Sequence, residues 1–222
     1  MRRVVFLVEG DTEVILVNKF IIPYFYGKGY MNPMHAQKII SNRKLHKKGG
    51  NVNYQYLVND LNNIFSQGNV LVTTFLDFFR LPTSFPGYTT NSQLISQIEA
   101  AMLVAFDGNP NFVPYIQRHE MEALFFSDIA GFEFVVDDEE SLAQLQNIIS
   151  LHTNPEDING NATTAPSKRC EGIFNYDKTA DAESILDMIG LDVILSKCPR
   201  FKTWMEKIDL QLKSENQPPA SS

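Results

Sequence analysis

The stretch VEGDTEVILV, residues 8–17, decides how this chain is read. It follows the apolar run Val4-Val5-Phe6-Leu7 and carries Glu9 and Glu13 one helical turn apart. A short apolar run that ends at a glycine, followed by Val14 and Val17 at helical spacing, predicts a buried strand passing into a helix. The acids then have two readings. In one, Gly10 supplies the turn, Asp11 or Thr12 caps the helix, and Glu13 suits the positive end of its dipole. In the other, Glu9 leaves the strand as a metal ligand, and Glu13 shares or supports the site.

The same alternation continues outward from this stretch. The pattern predicts a strand over 4–8, a helix over 12–24 stopping around Pro23 and Gly27, a strand over 36–40, and a helix over 54–67 with Leu57, Leu61, Ile64 and Phe65 on one face. A strand over 69–77 ends at Asp77, and a helix over 91–106 follows a loop rich in proline and glycine. Residues 112–117 read as an edge strand weakened by Pro114, and 118–128 as a short helix. This order predicts an α/β fold around a mostly parallel sheet. Functional groups in such sheets collect beyond the carboxyl ends of the strands, where Glu9, Asp77, Glu120 and Glu122 all fall.

After Asp128 the pattern changes. A helix is expected over 135–150, a polar loop over 153–167, and two short helices across 178–213. The expected division is a core over 1–130, a mainly helical extension over 131–213 packed on it, and a flexible tail over 214–222.

Composition narrows the function classes. With 44% hydrophobic and 20% charged residues the chain is an ordinary globular one. No apolar run approaches the roughly 18 residues that span a bilayer, and the start lacks a signal-peptide pattern. Cys170 and Cys198 form no C-x-x-C pair, which argues against zinc knuckles and disulfide frameworks. A reducing, cytoplasmic setting is the expectation. A net charge of −7 argues against non-specific coating of nucleic acid. The charge is uneven, however: residues 1–70 hold nine Lys/Arg against four Asp/Glu, and 71–222 hold ten against twenty-two. The segment 38–51, with Arg43, Lys44, Lys47 and Lys48, is either a solvated basic loop or a phosphate-binding border to the carboxylates.

Several carboxylates at one sheet edge repel one another unless a cation neutralises them. Oxygen-only ligation by Glu9, Glu13, Asp77, Glu120 and Glu122 suits Mg²⁺ or Mn²⁺. Such an ion can activate water for attack on a phosphodiester, with Glu9, Asp77 and Glu120 the candidate catalytic residues. His119 reads as a proton shuttle, a ligand or a structural residue.

VEGDTE, TTFLDFFRLPTSFPG, YIQRHEMEALFFSD and KCPRFKTW together resemble the bacterial DUF4276 proteins, a Toprim-like group distantly similar to OLD-family nucleases. The resemblance runs from Val5 to about Trp204. It implies a Toprim fold whose divalent metal is bound by a glutamate after the first strand, here Glu9, and by an Asp-x-Asp whose first aspartate is Asp77. The second aspartate falls at Phe79, and Arg80 stands where those relatives carry glycine. Glu120 or Glu122 then replaces the missing carboxylate, or the chain is a non-catalytic adaptor. The resemblance also marks APSKR and FNYDK. Lys168, Arg169 and Lys178 there are phosphate contacts or partners of nearby acids. The implied activity is a Mg²⁺- or Mn²⁺-dependent nuclease acting on DNA or RNA in anti-phage defence. An ATPase partner is expected on a separate chain, because no G-x-x-x-x-G-K-[ST] loop is present.

Overall fold

A computed structural model describes all residues except 43–46, 49–51, 159–160, 162 and 217–222. Strand β1 (Arg3–Val8) is the centre of the sheet. It pairs in parallel with β2 (Met34–Lys38) on one side and with β5 (Val70–Asp77) on the other. Between β2 and β5 in sequence, β3 (Ile40–Asn42) and β4 (Lys47–Lys48) form a separate antiparallel pair. Two short strands, β6 (Phe112–Val113) and β7 (Ile116–Gln117), both run parallel to β5 at the far edge. The order is therefore β2-β1-β5-β6, with β7 continuing along β5.

The alternation of a strand explains why β1 contains no polar residue beyond Arg3. Val4, Phe6 and Val8 enter one apolar cluster, and Val5 and Leu7 enter another on the opposite face. A strand covered on both faces reads as a continuous apolar run. One face is covered by α3 (Tyr54–Phe65) and α4 (Ile95–Val104), which contribute Leu57, Leu61, Ile64, Ile95, Ile98 and Met102.

The other face is covered from both ends of the chain. The first helical stretch comprises α1 (Asp11–Ile15), a π-helical turn (Leu16–Ile21) and α2 (Ile22–Gly27). It passes Pro23, which has no N–H to give, directly after the wide turn. Packed alongside are α5 (Ala130–Glu133), α6 (Glu139–Leu151), α7 (Pro166–Ile173), α8 (Ala180–Ile189), α9 (Leu191–Lys197) and α10 (Pro199–Asn216). A single apolar cluster runs from Val4 to Leu212 through them.

Four local expectations are corrected. Residues 112–117 are not one strand: Pro114 breaks the ladder, and the Tyr115 N–H donates to Thr74 Oγ1 at 2.8 Å instead. Residues 36–40 turn a corner at Ile39, and the Ile40 N–H donates to the Asp60 carboxylate at 2.9 Å. Helix α7 lies where only a polar loop and its end were expected, begun by Pro166 at its first turn. Residues 178–213 hold three helices, because Gly190 at φ +75° and Pro199 divide the pattern twice. Of the expected tail, 214–216 belong to α10 and the rest lies outside the described residues. No helix among the described residues is long and apolar enough to cross a membrane.

Trp204 of α10 ties the C-terminal helices to the sheet. It is 1% exposed, stacks on Tyr115 at a centroid distance of 4.7 Å, and donates from Nε1 to Thr73 Oγ1 at 2.7 Å. Trp204→Ala is expected to cost about 3–5 kcal/mol, measured by urea unfolding. A loss under about 1 kcal/mol would show that α10 contributes little to the fold.

Candidate functional site

Glu9 and Asp77 meet because their strands are parallel neighbours. Val8 lies opposite Phe75, so Glu9 emerges beside the end of β5, where Asp77 is the last residue. The backbone N–H of Asp77 donates to the Glu9 carboxylate. The Asp77 side chain in turn accepts from the Met121 N–H at 3.1 Å. This draws in residues 119–122: Phe79 N–H donates to the His119 carbonyl at 2.8 Å.

Glu13 lies one turn into the first helix, and its Oε2 accepts from the Gly10 N–H at 2.8 Å. That bond is the returning half of a capping box. Gly10 itself is extended, at φ −130° and ψ −172°, a conformation open to any residue. The sequence-based reason for glycine, a tight turn, is therefore corrected. A Cβ at position 10 would stand 2.8 Å from Glu13 Oε2, so a larger residue there would displace the carboxylate from the Gly10 N–H.

The result is a cluster of acids in one electrostatic field. Burial raises the pKa of Asp77 well above the usual range, and Glu13, Glu122 and Glu9 add repulsion. Burial raises Glu9 too, with Lys178 and the Asp77 N–H working against it. Glu13 is pushed up to about 7, chiefly by burial and further by Glu122 and Glu9. Glu120 is raised by burial and by Glu122, while its Oε2 accepts from the Ser167 N–H at 3.0 Å. Glu122 is fully buried: Oε1 meets Lys178 Nζ at 2.9 Å and the Tyr176 hydroxyl at 3.4 Å, and Oε2 has no hydrogen-bond partner among the described residues. For Lys178, burial works against the ammonium, but Glu122, Asp77 and Glu13 outweigh it and hold its pKa above the usual lysine value.

Above these acids opens a cleft of about 380 Å³ lined by Glu9, Asp77, Glu120, Arg80, Lys168 and Lys178 among others. It gathers five of the candidate residues named from sequence. Glu13 and Glu122 do not line it; they lie buried within the same field. Arg169 does not line it either, and its Nε donates to the Thr164 carbonyl at 2.9 Å. Lys168 pairs with Glu171 and Lys178 with Glu122, so both cations also follow the ion-pair reading. Arg43 and Lys44 lie outside the described residues, and for Lys47 and Lys48 only the backbone strand is described.

Sequence reading missed Arg80 as a cation of the cleft. Its signal was present in position alone, three residues after a strand-terminal aspartate. Its backbone is left-handed, at φ +63°, and its guanidinium lies 5.1 Å from the Phe79 ring centroid. His119, across the Phe79 hydrogen bond, is also left-handed at φ +65°. Such conformations cost a non-glycine residue about 1 kcal/mol or more and gather at functional sites.

The donors suit a divalent cation in kind. They are all oxygens, they repel one another, and Glu122 Oε2 is a buried lone-pair donor with no hydrogen-bond partner among the described residues. Among the described residues, no three such side chains are gathered closely enough to hold a metal by themselves. A Mg²⁺ site of this kind uses one or two carboxylates and keeps several waters.

Comparison with known proteins supports the fold. The family model described as a domain of unknown function, DUF4276, matches residues 8–209. Among curated proteins nothing matches. Among solved structures, the C-terminal region of the Burkholderia pseudomallei OLD protein is similar, with a TM-score of 0.52 and 15% identity. That alignment covers 96% of this chain and 99% of the other. The likeness is one of fold, and it bears out the α/β fold with a mostly parallel sheet expected from the sequence.

Proposed function

The chain belongs to the DUF4276 family, and on that premise we propose that it is a Toprim-like nuclease that uses Mg²⁺ or Mn²⁺ to hydrolyse phosphodiesters. The observation that carries the reading is the desolvated acid cluster at the carboxyl ends of β1 and β5, opening into a cleft with three cations. Acids so placed destabilise one another, and perturbed groups of this kind concentrate at functional sites.

In this reading Glu9 and Asp77 hold the ion, and Glu13 and Glu122 supply negative charge from below. When bound, such an ion neutralises a phosphate oxygen and acidifies a water. The remaining work falls to this chain's own residues. Lys168, Lys178 and Arg80 orient the phosphates. Glu120, anchored by Ser167, takes the proton from the attacking water. The substrate is DNA or RNA, and the ATPase that accompanies such nucleases in anti-phage systems is a separate partner.

One observation favours a second reading. Lys178 Nζ, 2.9 Å from Glu122, already neutralises part of the cluster, and Phe79 stands in place of a second aspartate. These suit an adaptor that keeps the fold and binds a partner or nucleic acid without cutting. The deciding experiment incubates the purified chain with labelled single- and double-stranded oligonucleotides in Mg²⁺, Mn²⁺ or EDTA. Cleavage that depends on the ion is expected. An absence of cleavage, with no calorimetric binding of Mn²⁺ at millimolar concentration, establishes the adaptor.

A further inference from the structure

A second cavity, of about 390 Å³, adjoins the carboxylate cleft and shares Phe79, Arg80 and Leu81 with it. Its walls include Phe78, Phe79 and Tyr88, with Asn91 and His119 among the polar groups. Among the described residues, no acidic side chain lines it. We propose that this cavity is a nucleobase subsite, taking one unpaired base of a single-stranded DNA or RNA while the adjoining phosphate lies over Glu9 and Asp77.

The chemistry of the walls selects this ligand. Aromatic rings give a flat base a stacking surface, and base–aromatic stacking is indifferent to sequence. Asn91 and His119 offer donors and acceptors of the kind that read base edges. The volume falls in the range of small-molecule pockets, about 300–1,000 Å³. A paired base inside a duplex cannot enter such a cavity without leaving its stack, so the geometry favours an unpaired strand.

Arg80 links the two cavities. No described acid pairs with it, and it lies over the Phe79 ring on the wall common to both. A guanidinium there can reach a phosphate on one side and stack on a base on the other. Its left-handed backbone, like that of His119, is an unfavourable conformation kept at the junction.

This inference rests on the reading of the cleft as a phosphodiester site, and its test separates the two. Binding of fluorescein-labelled oligodeoxyuridylate, oligouridylate and a blunt duplex is measured by anisotropy with Ca²⁺ present. Single strands are expected to bind at least about tenfold more tightly than the duplex, and the tighter of the two names the sugar. Tyr88→Ala and Arg80→Gly should each weaken single-strand binding about tenfold, within the cost of losing one base stack. Tyr88→Phe should retain binding. Arg80→Gly also removes a phosphate contact and should weaken the duplex as well, so Tyr88→Leu, which keeps bulk without a ring, carries the test if Tyr88→Ala does not fold. Equal or tighter duplex binding, or variants within twofold of the parent, overturns the subsite. Tyr88-dependent binding without cleavage keeps the subsite and refutes the nuclease. Cleavage with a duplex preference does the reverse.

Discussion

Glu9→Gln and Asp77→Asn are each expected to lower metal-dependent cleavage on the order of 10³-fold while leaving the melting temperature unchanged or higher. The two halves of this expectation have one cause. Asp77 is raised well above its usual pKa by burial and by three neighbouring acids, so its ionised form is held against repulsion. The amide isosteres remove a charge yet keep an oxygen that can accept from Met121 N–H or Asp77 N–H. Stability should therefore gain what activity loses, the usual exchange at a functional site. The measurements are oligonucleotide cleavage in Mn²⁺ and thermal unfolding in EDTA. Retained cleavage in both variants would remove these residues from the mechanism. A large fall in melting temperature would show that the acids are structural.

The legibility of this site varied with its physics. Short, nearly continuous apolar runs made β1 and β5 plain, and the rule that strand ends carry function brought Glu9 and Asp77 together from the sequence. Helices α3 and α4 were equally visible, because one face of each is apolar. The depth of the acids was not visible. Nothing local says that Glu122, an ordinary residue beside a helix start, is fully buried under Lys178 from 56 positions later. Long-range pairing of that kind has no sequence period. Arg169 shows the converse: it neighbours Lys168, but it turns to its own loop carbonyl rather than to the cleft. Backbone strain at Arg80 and His119 was hidden for a similar reason, since the surrounding fold imposes it against local preference.

The second large effect is on stability and runs against the usual acid denaturation. Glu13 titrates near 7 in the folded chain against an ordinary value of 4.5. Between those values the folded state binds more protons than the unfolded, so stability falls as pH rises through that window. Glu13 is 3% exposed, and its shift alone corresponds to roughly 3 kcal/mol once pH is well above 7. Glu9, Asp77 and Glu120, all raised chiefly by burial, act in the same direction. Two groups oppose this inside the window: burial and a neighbouring arginine lower His35 and His119, so each costs stability as pH falls below the ordinary histidine value. Others act outside it. Burial works on Asp209 too, but Lys213, Lys28 and Tyr30 outweigh it and lower its pKa, so its contribution is lost only as pH falls below the ordinary aspartate range. In EDTA the melting temperature should therefore rise on going from pH 8 to pH 5, by on the order of 10 °C. Glu13→Gln should flatten that rise, and Mn²⁺ should raise the melting temperature at pH 8 far more than at pH 5, because only the ionised cluster attracts it. A melting temperature that falls steadily from pH 8 to pH 5 would mean that the acids are already neutralised in the fold, and Lys178 would then be their permanent counter-ion.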